Sequence, residues 1–126
     1  MGNFRELEVW QFAMDLVIDI YRITNSGKFA KDFDLKSQIR RAAVSVPSNI
    51  AEGDESGSNP LSIRYFNIAK GSSAEIQTQI EIAYKIGYII EVTKNEIINK
   101  CTIISKKLYN LIKSRMSNSQ NHKPHT

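Results

Sequence analysis

Apolar residues recur every three or four positions along most of the chain, and no segment alternates apolar and polar residues as a strand would. Helix-capping residues divide this pattern into four predicted helices. The first covers 4–24, and the second runs from a cap at Asp32 or Asp34 to residue 52. The third covers 60–90 and follows a cap at Ser58 or Asn59, and the fourth covers 93–115. The short connections make neighbouring helices antiparallel, so the sequence predicts an all-α, up-down-up-down four-helix bundle.

The first predicted helix is apolar over an arc of about 240°, whereas a helix of an isolated bundle needs an apolar stripe of little more than about 100°. The excess predicts contact with a second copy of the chain, because most soluble oligomers are built from identical subunits. An irregular bundle that wraps this helix more fully is the alternative. The residues predicted to form the interface are Val9, Phe12, Ala13, Leu16 and Ile20.

Polar residues also lie along or within the apolar stripes of the second and third predicted helices. They form either a structural hydrogen-bond network between the two helices or a groove that contacts a ligand or RNA, and the sequence leaves both open. These residues are Gln38, Arg41, Ser45, Asn49 and Glu52 on the second helix and Ser72, Glu75 and Gln79 on the third.

Charge is distributed unevenly in this +4 chain. From residue 93 onward there are seven basic residues and one acidic residue, against 10 basic and 12 acidic residues before it. A uniformly positive last helix predicts binding of RNA or DNA through phosphate contacts, although a solvated lysine face is the alternative. The predicted contact residues are Lys100, Lys106, Lys107, Lys113 and Arg115, together with Arg40 and Arg41.

Residues suited to catalysis or metal binding are sparse. Cys101 lies on the predicted core stripe of the last helix, and both histidines, His122 and His125, fall near the end of the chain. Glu52 and Glu75 have no accompanying nucleophile or cofactor motif. We therefore expect no enzymatic activity, no metal and no cofactor.

The length of 126 residues suits one domain, which we place at 1–115, followed by a Ser- and Asn-rich tail, 116–126, that we expect to be disordered. The longest apolar run in the C-terminal half covers only 86–90, far short of the roughly 20 residues that span a bilayer. The sequence thus predicts a cytoplasmic protein without a membrane span.

Three segments together resemble the four-helix bundle proteins encoded in intervening sequences of bacterial 23S ribosomal RNA genes. They are 4–13 (FRELEVWQFA), 40–53 (RRAAVSVPSNIAEG) and 68–75 (IAKGSSAE), and the likeness extends to about residue 112. The central motif is specific, because proline inside a helical segment is rare. The chain departs from this pattern at Phe29 and Ala30, where relatives usually have Phe-Pro, which affects only the loop before the second helix.

The resemblance implies a ring-shaped homo-oligomer, typically a pentamer, without known catalysis. Related accessory proteins of diversity-generating retroelements form basic pentameric barrels that bind nucleic acid and a reverse transcriptase. We therefore expect a homo-oligomer that binds RNA or DNA, with a scaffold that docks a protein partner such as a reverse transcriptase as the alternative. The motif positions that the resemblance implies are Arg40, Arg41, Asn49, Glu52, Gly53 and Glu75.

Overall fold

The computed structural model describes residues 2–121, with side chains described for 2–117. This part of the chain is helical throughout its regular structure, as predicted. A 3-10 turn at Phe4–Glu6 precedes the helices, which are α1 (Glu8–Ile23), α2 (Gly27–Lys31), α3 (Phe33–Glu55), α4 (Asn59–Lys85) and α5 (Glu91–Asn121). Four of the five are long, and α1 packs against α3 and α5, while α4 packs against α3 and α5 from the other side.

The helix ends differ from the prediction where tertiary contacts decide them. Leu7 is extended, so α1 begins at Glu8 instead of Phe4. The predicted cap at Asp32 is confirmed, because its side chain accepts a hydrogen bond from the Leu35 amide at 3.1 Å. The last helix continues to Asn121, beyond the predicted end at 115. The rest of the predicted tail, 122–126, lies outside the described residues.

Gly53 lies inside α3 and does not end it, contrary to the prediction. A Cβ atom at this position would lie 2.6 Å from Cε1 of Phe66 on α4, which is closer than packed atoms approach. The absent side chain therefore lets α3 pack closely against the ring of Phe66. At the end of α4, Gly87 adopts a positive φ of 84°, so that helix stops at Lys85 and not at the predicted residue 90.

The core contains the side of α1 that the sequence analysis assigned to an oligomer interface. Val9, Ala13, Leu16 and Ile20 are buried within the single chain, and Phe12 is half-buried against the same core. That assignment is wrong, because α3 and α5 cover this side of α1. The opposite side of the apolar arc stays exposed instead.

The core stripe of α5 is confirmed for Ile97, Cys101, Ile104 and Leu108, all of which are buried. Burial raises the pKa of the Cys101 thiol to about 11, and a hydrogen bond with Ser73 opposes this shift. At neutral pH the thiol is therefore protonated and poorly nucleophilic, as expected of a small apolar core residue.

The short helix α2 places Phe29 in the core, with its ring centroid 5.4 Å from that of Tyr88. The Tyr88 hydroxyl donates a hydrogen bond to Oδ2 of Asp32 at 2.8 Å. This contact ties the connection between α4 and α5 to the start of α3. The Leu35 amide and then the Tyr88 hydroxyl lower the pKa of Asp32.

Within 2–121, no helix is both long and apolar enough to cross a membrane.

Candidate nucleic-acid interface

Three of the five cations predicted on the last helix form ion pairs within the chain. Lys100 pairs with Asp19 and Lys107 with Glu8, both across the seam between α5 and α1. The prediction of a uniformly positive α5 is therefore wrong on this side. Carboxylates of the first helix, more than 80 residues away in sequence, neutralise the lysines.

Arg115 is the third paired cation, and its surroundings are more deeply buried. Its Nη2 lies 3.3 Å from Oδ1 of Asp54, whose side chain is only 4% exposed, and its Nη1 donates to Oγ of Ser62 at 3.3 Å. Ser62 in turn donates to the carbonyl of Gly53 at 2.6 Å. Arg115 thus links α5 to α3 and α4, which is a structural role.

The remaining two cations, Lys106 and Lys113, are exposed on the side of α5 that faces α4. Between them lies Tyr109, which is 52% exposed. Lys113 and Lys70, a residue of α4, each place Nζ 5.5 Å from the centroid of the Tyr109 ring. Both distances suit cation–π attraction, so two helices supply the positive charge around one aromatic ring.

This region is an open cavity of about 500 Å³ between α4 and α5, lined in addition by Thr102 and Ser105. None of its lining residues is acidic, and Lys70, Lys106 and Lys113 form no ion pair among the described residues. We define the Tyr109 surface as Lys70, Gln77, Lys106, Tyr109, Asn110 and Lys113.

The sequence pattern predicts only part of the Tyr109 surface. Lys106 and Lys113 were predicted because they share a row of the last helix, and Tyr109 lies between them at positions i+3 and i−4. That spacing could have identified the ring as well. Lys70 could not have been found, because nothing in the sequence aligns α4 with α5.

The two adjacent arginines of α3 have different environments. Nε of Arg40 donates to Oγ1 of the buried Thr24 at 2.8 Å, and its guanidinium lies 4.3 Å from the centroid of the Tyr21 ring. Arg40 therefore anchors the end of α1 to α3. Arg41 is exposed at the edge of an open cavity of about 710 Å³, which the carboxylate of Asp34 also lines. The structure does not bring either arginine to the Tyr109 surface.

The predicted polar network is present only at its centre. The hydroxyls of Ser45 and Ser72 lie 2.8 Å apart across α3 and α4, and Nδ2 of Asn49 donates to Oγ of Ser45 at 2.9 Å. Gln79 is buried, but its Oε1 has no hydrogen-bond partner among the described residues. The remaining predicted members are exposed and are not joined to this centre: Gln38, Arg41, Glu52 and Glu75.

Two apolar surfaces remain exposed on different parts of the bundle. The first, which we call the α1/α3 face, surrounds a groove of about 340 Å³. Its exposed or half-buried members are Trp10, Met14, Val17, Ile18 and Val44, and the buried Pro47 lines the groove. The second, the α4 face, consists of Leu61, Ile68 and Ile82 on α4 and of Ile86 directly after it, all of which are 40–49% exposed. The first three of these are separated by multiples of seven residues, and the exposed Glu75 lies on the same row between Ile68 and Ile82.

The fold and these surfaces define an all-helical bundle protein with a cationic surface around an exposed aromatic ring. The family model described as 23S rRNA-intervening sequence protein matches residues 5–110, and the chain belongs to this family. The resemblance seen in the sequence is thereby confirmed.

Among solved structures, the chain is similar to a protein of unknown function from the S23 ribosomal protein family of Bacteroides thetaiotaomicron. The two share 26% sequence identity with a TM-score of 0.78, over 83% of this chain and 95% of the other. No curated protein matches the sequence.

Proposed function

We propose that this protein is a non-catalytic nucleic-acid-binding bundle, in the up-down-up-down arrangement, that contacts phosphate groups through the Tyr109 surface. The observation that carries the proposal is a concavity lined by Lys70, Lys106 and the exposed Tyr109 and by no carboxylate, with Lys113 over the same ring. Phosphate contacts of this kind provide most of the affinity of sequence-independent binding.

RNA is the nucleic acid that we propose. The family description names intervening sequences of 23S rRNA, where its members are encoded, and not a ligand, so RNA is the first nucleic acid to test and DNA is the comparison. Binding through lysines and an aromatic ring is tolerant of sequence, since every nucleotide offers a phosphate and a base face.

The experiment is a fluorescence-anisotropy titration of a labelled RNA oligonucleotide with the purified protein over a series of salt concentrations. We expect affinity to fall steeply with salt. Each of the substitutions Lys70→Gln, Lys106→Gln and Lys113→Gln should reduce the slope of log K against log salt by about 0.7–0.9 per lost phosphate contact. Absence of RNA binding at low salt would overturn the proposal.

Lys107 provides a matched control, because it is adjacent to Lys106 on the same helix but paired with Glu8. Lys107→Gln removes the same charge as Lys106→Gln. We expect the Lys107 variant to change RNA affinity by less than about twofold, because a neutralised cation contributes little to phosphate binding. Equal losses in both variants would mean that total charge, and not the Tyr109 surface, determines binding.

We further propose that copies of the chain associate into a closed ring, which the family resemblance suggests is a pentamer. Support comes from the two exposed apolar faces. They are formed by different helices, so one face of a copy can pack on the other face of the next, and such head-to-tail contacts form a ring when the rotation between copies closes. This replaces the interface predicted from sequence, whose residues are in the core.

Light scattering tests the assembly. We expect a mass about five times the 14.3 kDa of the single chain. Ile18→Glu and Val44→Glu, at exposed positions of the α1/α3 face, should dissociate the ring while leaving helical circular dichroism unchanged. Val92→Glu, at a 62% exposed position outside both faces, is the control and should keep the mass. A monomeric wild-type protein would overturn the assembly proposal.

A scaffold that docks a protein partner is the second candidate, in which the exposed α4 face takes the partner instead of the next copy of the chain. If a partner protein occupies this face, it should co-purify after nuclease treatment and be lost in Ile68→Glu. Wild-type protein that retains no partner under these conditions would argue against this candidate.

A further inference from the structure

We propose that the Tyr109 surface takes unpaired nucleic acid, with one base stacked on the Tyr109 ring and the flanking phosphates on the lysines. This inference rests on the proposed nucleic-acid binding and adds the class of strand. Its structural basis is the position of an exposed aromatic ring between ammonium groups from two helices.

The arrangement of charge around Tyr109 suits a nucleotide better than an isolated phosphate. Lys70 and Lys113 approach the ring from different helices, each 5.5 Å from its centroid. A stacked base replaces one ammonium on the ring, and that lysine then pairs with the adjacent phosphate. Stacking and phosphate pairing are the two contacts on which single-strand binding proteins rely.

The rim of the cavity supplies groups that bind the edges of a base. Gln77 and Asn110 carry amides that both donate and accept, whereas the hydroxyls of Thr102 and Ser105 already donate to Ile98 and Ser73 and offer only their acceptor side. The edges of a base are available to such groups when the base is unpaired, as in single-stranded loops and ends. In a duplex the bases are stacked on one another, so the duplex offers its phosphates but no free base face to Tyr109.

Tyr84 shows by contrast what distinguishes Tyr109. It also has a lysine over its ring, with Nζ of Lys94 at 4.6 Å. Its hydroxyl, however, donates to the carboxylate of Glu91 at 3.2 Å, and Lys94 lies 3.9 Å from the carboxylate of Glu81. Two acids beside the ring repel a phosphate, so Tyr84 is a matched control for the role of an aromatic ring beside a lysine.

The test compares a labelled single-stranded RNA, the DNA of the same sequence and the duplex RNA, each at the same salt concentration. We expect the single strands to bind more tightly than the duplex. Tyr109→Leu should weaken single-strand binding by about fivefold to 100-fold, the range expected for one stacked base. It should leave duplex affinity nearly unchanged, and Tyr84→Leu should leave both unchanged. Comparison of the RNA and DNA arms shows whether the 2′-hydroxyl contributes.

Tyr109→Trp gives a spectroscopic signature that a merely structural role would not produce. The variant should keep single-strand affinity, and its added fluorescence should be quenched by single-stranded RNA and not by the duplex. Helical circular dichroism of all variants confirms that they are folded.

The outcomes separate the two proposals. If no nucleic acid binds at low salt, the proposed function fails and the inference fails with it. If duplex and single strand bind equally and Tyr109→Leu matches the wild type, the proposed function stands and the inference is overturned. Weaker single-strand binding in Tyr109→Leu, with restored affinity in Tyr109→Trp, supports both.

Discussion

Arg115→Met tests whether the ion pair with Asp54 stabilises the bundle. The change keeps an apolar stem on α5 but removes the guanidinium from a carboxylate whose side chain is 4% exposed and whose Oδ2 already has no hydrogen-bond partner among the described residues. Removing one partner of a buried pair typically costs about 3–5 kcal/mol. Because the Arg115 side chain is 24% exposed, we expect Arg115→Met to lower the free energy of unfolding by about 3 kcal/mol, the lower end of this range.

Urea denaturation followed by circular dichroism measures this loss, at one protein concentration because assembly would contribute to apparent stability. Lys113→Met, an exposed position on the same helix, is the control and should change the free energy of unfolding by less than about 0.5 kcal/mol.

A double-mutant cycle with Asp54→Asn separates the ion pair from other contacts of Arg115, such as its position 5.6 Å from the ring centroid of Phe66. With the carboxylate neutralised, Arg115→Met should cost only about 1 kcal/mol. If Arg115→Met is as stable as the wild type, or if the coupling energy with Asp54→Asn is near zero, the assignment of Arg115 as a structural residue is refuted.

Three further outcomes are expected. Gly53→Ala should lower the free energy of unfolding by about 1–2 kcal/mol, because its Cβ would lie 2.6 Å from the Phe66 ring. Gly71→Ala, which has open space around it, should raise the free energy of unfolding by up to about 1 kcal/mol. Urea titrations measure both changes. The lowered pKa of Asp32 contributes stability that is present above its ordinary value of 3.8 and is lost as pH falls through the pKa of the folded state. In thermal melts, the melting temperature of Tyr88→Phe should therefore fall less on acidification than that of the wild type. Leu16→Asp should abolish helical circular dichroism at 25 °C and not merely dissociate a folded subunit, since Leu16 is fully buried.

The sequence predicted the features that depend on local chemistry. The Asp32 cap and the Ser58 cap before Pro60 are both present, and the spacing of Ile97, Cys101, Ile104 and Leu108 correctly identified the core side of the last helix. Such signals are contained within a few neighbouring residues, so they can be interpreted without knowledge of the rest of the fold.

The first helix shows what a local pattern does not contain. Its apolar arc is too wide for one stripe, and the prediction that part of it would remain uncovered agrees with the exposure of Met14 and Ile18. The part of the arc that was predicted to form the oligomer interface is the part that lies in the core. Helical periodicity does not show which part of a wide arc contacts α3 and α5. Only the tertiary arrangement, with Leu16 facing the core, decides this.

The candidate site was incompletely predicted for a similar reason. Positive charge on the last helix was visible in composition, but the carboxylates that neutralise Lys100 and Lys107 come from α1. Lys70, which adds positive charge beside Tyr109, comes from α4. Both the neutralisation of lysines on α5 and the addition of this lysine therefore depend on other helices. A count of charges along one segment therefore identified the helix but not the surface.

The polar contacts at the two ends of α3 bear on how the bundle opens. Helix termini usually fray first, because few contacts hold their last turns. Here Tyr88 holds Asp32 at the beginning of α3, and Arg115 holds Asp54 near its end. Native-state hydrogen exchange should accordingly show slow amides close to both ends of this helix, so that α3 exchanges as one cooperative unit and not by progressive loss of its terminal turns.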